Sequence, residues 1–154
     1  MVGSGRVKQR TLKSLKNKAW KLFSEWIRRR GADEGGTERC YTCGGLAHWK
    51  ELQAGHSIPG RHNAVLLDAD ICRPQCVVCN VWKRGQYHIF ATKLIRENGI
   101  EWWEKKLLDS RRVVKLGRGD YETIIEDLKK KLAGLNICAG CTDPTCKTSG
   151  CIGA

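Results

Sequence analysis

The chain has 154 residues, enough for one compact domain with extensions but not for several large ones. Lys and Arg number 28 against 16 Asp and Glu, and the formal net charge of +12 points to a polyanionic partner, nucleic acid first. No apolar run approaches the roughly 18 residues of a membrane span. The basic start lacks the apolar core of a signal peptide, so no membrane partner and a reducing, cytoplasmic location are expected.

Residues 1–10 open on Met-Val-Gly-Ser-Gly and read as loose. From Thr11, an N-cap residue, Leu12, Leu15, Ala19, Leu22, Phe23, Trp26 and Ile27 recur at helical spacing. Residues 1–30 hold ten Lys or Arg against one Glu, a net +9. A solubilising face on a packed helix is the bland account. The asymmetry favours phosphate contact, with Lys13, Lys16, Arg28, Arg29 and Arg30 as the candidates. Gly31 to Gly36 is a flexible link, so residues 1–36 form a basic N-terminal segment.

Residues 37–99 form a module that the rest supports. Two C-x2-C pairs, Cys40/Cys43 and Cys76/Cys79, let two tight turns aim four thiolates at one ion, the requirement of a structural zinc. Without a secretion signal, this spacing favours metal over free or disulfide-bonded cysteines. Between the pairs, Leu52–Ser57 reads as a strand, Ile58–Asn63 as a loop and Ala64–Leu67 as a second, apolar strand. After the second pair, Asn80–Arg84 is expected to open a helix that Gly85 interrupts. The order is strand, loop, strand, zinc turn, helix: a ββα unit.

This unit carries groups suited to phosphodiester hydrolysis. A neutral imidazole can accept a proton from water, and His56 is the candidate base. Asn80 can offer a neutral oxygen to a hard divalent ion, Mg²⁺ first. Arg61, His62, Lys83 and Arg84 are candidate DNA contacts, although His62 reads equally as a solvated loop residue. His48 reads as structural because four cysteines already satisfy zinc, and Cys72 as a buried thiol.

A further helix ends the 37–99 module, and residues 100–136 add others. Tyr87, Phe90, Ala91, Leu94 and Ile95 mark a helix closed by Asn98-Gly99, and Ile100–Leu108 a shorter one with Trp102 and Trp103, which read as core or interface. Ser110–Gly119 is a basic linker. Asp120 is expected to cap a last helix with Tyr121, Ile124, Ile125, Leu128, Leu132 and Leu135 on one face, a stripe for packing in cis or for a homodimer. In the tail, 137–154, Cys138, Cys141, Cys146 and Cys151 have the spacing of a zinc knuckle with cysteine in place of its histidine, so a second zinc is expected there. That knuckle has no aromatic residue for base stacking.

The ββα unit, with His56 on its first strand and Asn80 at its helix, resembles the HNH (His-Me finger) nuclease fold. More closely, HWKELQAGHSIPGRHNAV, LDADICRPQCVVCN and LIRENG resemble the phage NinG/Rap recombination-protein family, and the likeness covers most of residues 7–135. The resemblance implies an α+β fold with a zinc-stapled ββα-metal core. It implies an endonuclease that uses Mg²⁺ or another divalent ion to cut branched DNA intermediates such as Holliday junctions. Two positions depart from the HNH pattern. Gly55 stands where many such nucleases have an acidic ligand, and the middle asparagine falls on Ile71. Asp70 beside it, taken as a third catalytic candidate, or Asn63 in the loop would have to fix the hairpin instead. A less structure-selective nicking or homing-type nuclease, and a zinc-dependent DNA-binding module without catalysis, remain alternative readings.

Overall fold

Thr11 caps the first helix as its sequence predicts: its hydroxyl accepts the Ser14 N–H at 3.2 Å, and α1 runs over Leu12–Arg29. The computed structural model describes residues 10–135; the four tail cysteines, and with them the expected second zinc, lie outside the described residues. Leu15, Ala19, Phe23 and Ile27, each four residues apart, form one buried stripe along α1. The stripe has two partners. Leu15 and Ala19 pack with Tyr121 and Ile125, whereas Phe23 and Ile27 pack with Ala54, Cys72 and Leu128.

Those partners lie on the last helix, α5 (Arg118–Gly134), and on a central hairpin. The apolar stripe of α5 is therefore used in cis against α1. Asp120 is not its N-cap. It sits one turn in, where its carboxylate accepts the Gly117 N–H at 2.7 Å.

After α1, two three-residue strands, β1 (Thr37–Arg39) and β2 (Leu46–His48), pair antiparallel with Thr37 opposite His48. Their composition gave no sign of a hairpin. The turn between them carries Cys40 and Cys43 and needs Gly44, whose φ is +79°. A second antiparallel pair follows, β3 (Gln53–His56) with β4 (Cys72–Gln75), in a register that sets Gly55 opposite Arg73 and His56 opposite Cys72.

The expected second strand at Ala64–Leu67 is instead a single helical turn, α2 (Asn63–Leu66), and the strand that pairs with β3 is β4. Val65 and Leu66 are adjacent and both buried. Neighbours in a strand point to opposite faces, whereas neighbours in a helix are only about 100° apart, so one turn buries both. Pro74 in the polar Cys72–Gln75 run is tolerated because the sheet has only two strands, so β4 has a free edge; there its carbonyl accepts the Tyr41 N–H at 2.8 Å.

Beyond β4 the chain forms a π-type turn at Val78–Trp82 and a 3₁₀ turn at Arg84–Gln86. Gly85 interrupts the helix as expected, at φ +80°. Helices α3 (Tyr87–Asn98) and α4 (Ile100–Ser110) follow, with Gly99 at φ +93° between them. Phe90, Leu94 and Trp103 close over Ile58, Val65 and Ile71 in a core beside the β3–β4 hairpin, so Trp103 is a core residue. The fold is α+β: helices around two small antiparallel sheets. No helix among the described residues is long and apolar enough to cross a membrane.

Candidate metal centre and active-site cleft

The β1–β2 turn and the start of the π-type turn bring Cys40, Cys43, Cys76 and Cys79 together, with all four sulfurs within 4.8 Å of one another. Tetrahedral zinc with Zn–S bonds of about 2.3 Å requires sulfurs about 3.8 Å apart. The Cys43 and Cys76 sulfurs are 3.9 Å apart. The surroundings supply N–H groups to sulfur: Cys76 N donates to Cys40 Sγ at 3.3 Å and Gln86 Nε2 to Cys79 Sγ at 2.9 Å. Burial opposes ionisation of Cys40, but N–H groups of Cys43 and Cys76 and the Thr42 hydroxyl outweigh it and bring the thiol down to about 6. Cys76 is pushed up to about 12, chiefly by burial and also by the neighbouring Cys40 charge. Four thiolates in this space need a dication, and four sulfurs leave a tetrahedral ion no open position. The donor set fits a structural zinc.

A cleft of about 470 Å³ opens beside this centre, and both His56 and Asn80 line it together with Trp20, Ser24, Arg28, Gln53, Arg61 and Tyr87, among others. His56, at the end of β3, has Nε2 3.1 Å from the Leu66 carbonyl oxygen. A carbonyl can only accept, so Nε2 carries the proton and the lone pair is left on Nδ1. Trp20 of α1 stacks on the imidazole, with ring centres 5.4 Å apart. Burial lowers the His56 pKa below the ordinary histidine value; the Leu66 bond opposes this, and Arg61 adds to it. Burial thus favours the neutral ring. Asn80, inside the π-type turn, donates from Nδ2 to Gln53 Oε1 at 2.7 Å, which leaves its Oδ1 as an acceptor.

The remaining sequence candidates are dispersed. Lys16 and His62 line an adjoining cleft of about 590 Å³ with Arg111 and Arg112, and Pro59 borders both clefts. Lys83 and Arg84 are exposed beyond Asn80, and Lys13 is exposed on α1. The Arg28–Arg30 run is largely structural. Arg28 donates to the carbonyls of Ser24, Trp49 and Leu52, Arg29 pairs with Glu25 at 2.8 Å, and Arg30 ties α1 to the carbonyls of Ala69 and Cys72. Only Arg28 of the three faces the cleft. His48 accepts the Lys50 N–H in β2, a structural use.

Asp70 does not line the cleft; its carboxylate is 2.6 Å from Lys106 Nζ. Asn63 is bound to Tyr121 and the Val114 carbonyl. The hairpin tie expected of one or the other comes from Ser57, whose N–H and hydroxyl both donate to the Ile71 carbonyl, at 2.8 and 3.1 Å. The Ile71 side chain is free for the apolar core, where an asparagine amide would be buried among Ile58, Val65 and Phe90.

Gly55 also has a reason to lack a side chain. A Cβ there would collide with Gln75 Oε1 and press on its Cδ and Cγ. Gln75 is fully buried and cannot swing away, because its Nε2 donates to Thr42 Oγ1 at 3.2 Å and the Gly85 carbonyl at 3.0 Å. It links the zinc turns to the hairpin floor. Gly55→Ala is expected to destabilise the zinc-loaded protein by about 1–3 kcal/mol, measured by denaturant unfolding, and Gly55→Asp by more. Unchanged stability in Gly55→Asp would refute this packing account.

Trp20, Gln53, Ser57 and Gln75 had no role in the sequence reading. Trp20 falls one residue after Ala19 on the helical wheel, where nothing local separates a core indole from one covering a histidine. The three polar residues act through partners 10 to 33 positions away, beyond the reach of a three- or four-residue repeat.

No curated protein and no solved structure matches this chain. A family model described as "Bacteriophage Lambda NinG protein" matches residues 4–137, a span that contains the cysteine cluster, the cleft and every described helix. With the greater part of its length matched, the chain belongs to the phage NinG family of recombination proteins.

Proposed function

We propose that this protein is an HNH-type endodeoxyribonuclease that cuts branched recombination intermediates such as Holliday junctions. The observation that carries this reading is the convergence of a half-buried His56, whose pKa burial lowers, with Asn80 in one cleft. The β3–β4 hairpin, followed by the turn with Asn80 and by α3, supports it as the counterpart of a ββα-metal core. Membership of a phage recombination family supports branched DNA as the substrate.

His56 Nδ1 accepts a proton from water as the water oxygen attacks phosphorus and the bond from phosphorus to a sugar oxygen breaks. The Leu66 carbonyl and the Trp20 face hold the ring in the tautomer this requires. Arg28 and Arg61 set positive charge along the wall where the phosphate would lie. No carboxylate is among the residues lining the cleft, so its oxygen donors are neutral, Asn80 Oδ1 foremost. Such a set suits a hard ion that keeps most of its waters and binds together with DNA phosphate. When bound, a Mg²⁺ ion would neutralise charge on the phosphate and the leaving oxygen.

The test is cleavage of matched four-way junction, flap and linear duplex DNA by zinc-loaded protein, with Mg²⁺ added or omitted. Cuts that need Mg²⁺ and favour the branched substrates are expected. Equal cutting of linear duplex would replace this reading with a less selective nicking nuclease. Tight binding with no cleavage under several divalent ions would replace it with a DNA-binding module, which the acid-free cleft would then explain.

A further inference from the structure

Of the six tryptophans, Trp82 alone stands out in solvent, 76% exposed; the others are half-buried or buried. It belongs to a short apolar face. Val77, Val78, Val81 and Trp82, spaced i, i+1, i+4 and i+5 along the turn that follows Cys76, are all exposed. The face is rigidly mounted. Cys76 and Cys79 of the zinc cluster begin it, and its far end is held by Gln75 Nε2 on the Gly85 carbonyl and Gln86 Nε2 on Cys79 Sγ. Those bonds keep three successive residues, Arg84, Gly85 and Gln86, at positive φ of 49°, 80° and 46°. Non-glycine residues adopt such angles only where the surroundings enforce them.

Charge indicates what this face meets. Between Asp70 and Glu97 the sequence has no acidic residue, and Lys83 and Arg84 are exposed immediately after Trp82. An apolar face made for a protein partner needs no such one-signed flanking sequence, whereas an aromatic ring followed by two exposed cations suits a base with its phosphates. The same turn carries Asn80 into the cleft, two residues before Trp82.

We propose that Trp82 is a stacking platform for a nucleobase unstacked at the branch point, with Lys83 and Arg84 on the adjoining phosphates. This rests on the DNA-cutting reading above and adds to it the feature by which branched DNA is told from duplex. A continuous duplex offers no free base face, so the platform acts only where stacking is already broken.

The experiment uses full-length zinc-loaded protein in a His56→Ala background, so that substrate survives. Binding is measured to a four-way junction with 2-aminopurine at the branch point and to a linear duplex of the same sequence. Trp82→Ala is expected to weaken junction binding about 10-fold, change duplex binding less than about twofold, and abolish the change in 2-aminopurine emission seen with the parent. Trp82→Phe, which keeps a stacking face, should retain most of both. Equal zinc content in all variants separates lost stacking from misfolding. Junction binding and emission unchanged in Trp82→Ala would overturn the platform and leave the nuclease reading standing. A parent that binds neither DNA would overturn both. Trp82→Ala that converts a dimer to a monomer in sedimentation, with junction affinity per subunit unchanged, would assign the face to a second copy of the chain and overturn the proposal.

Discussion

Removing metal from the Cys40, Cys43, Cys76 and Cys79 cluster is expected to unfold the region that holds both hairpins. A structural zinc contributes on the order of 10 kcal/mol, comparable to the entire stability of a domain of this size. The strands it joins are three or four residues long and could not stand alone. Cys40 and Cys79 are buried, so loss of the ion leaves thiols that repel one another on ionising and have no solvent. With a strong chelator, the denaturation midpoint should collapse and far-UV circular dichroism lose part of its amplitude, both recovering on adding zinc. Cys40→Ser should behave as the chelated protein does. The α1–α5 packing does not pass through the cluster, so residual helix signal is expected to persist. A chelated protein with an unchanged midpoint would show that the cysteines staple nothing.

His56→Ala is expected to lower the cleavage rate by about 10²- to 10⁴-fold while zinc content stays full, the usual contribution of a positioned general base. The pH dependence has a definite sign. Only neutral imidazole can accept the proton, and burial lowers the folded pKa below the ordinary value. The rate should therefore be flat through neutrality and fall only as pH drops below about 6.5. The stability linkage runs the same way: a depressed histidine pKa contributes stability above the unfolded value, which is lost as pH falls through the folded one. Trp20→Ala opens one face of the ring to water, so the acid limb of its rate profile should move up toward the ordinary histidine value. An acid limb in the same place in Trp20→Ala would separate the titrating group from His56.

The two groups that matter most for the site differ in how they were legible. The cysteine pairs were readable because C-x2-C is a local statement about a turn, and the turns form as the spacing requires. His56 and Asn80 were readable as chemistry and as a family pattern, and the chain between them returns Asn80 to the same cleft. Thr11 and the α1 stripe were equally local, a cap and a four-residue repeat.

What was not legible had a common cause. Ala64–Leu67 looks like a strand because an apolar run has no period, and the decision between strand and helical turn lay with the burial that Val65 and Leu66 both had to reach. Charge alone marks Arg28 and Arg30 as phosphate contacts, but the carbonyls that engage them, at Trp49, Leu52, Ala69 and Cys72, belong to elements that only folding brings to the end of α1. Gly55 and Ile71 looked like defects until Gln75 was found packed over the glycine and Ser57 in place of the missing tie. Spacing, caps and charge are properties of a segment, and the sequence by itself determined those: the cysteine pairs, the longer helices and the basic character. Which face is buried, which cation is spent on a carbonyl and which indole covers a histidine depend on partners tens of residues away, and only the tertiary structure decided them.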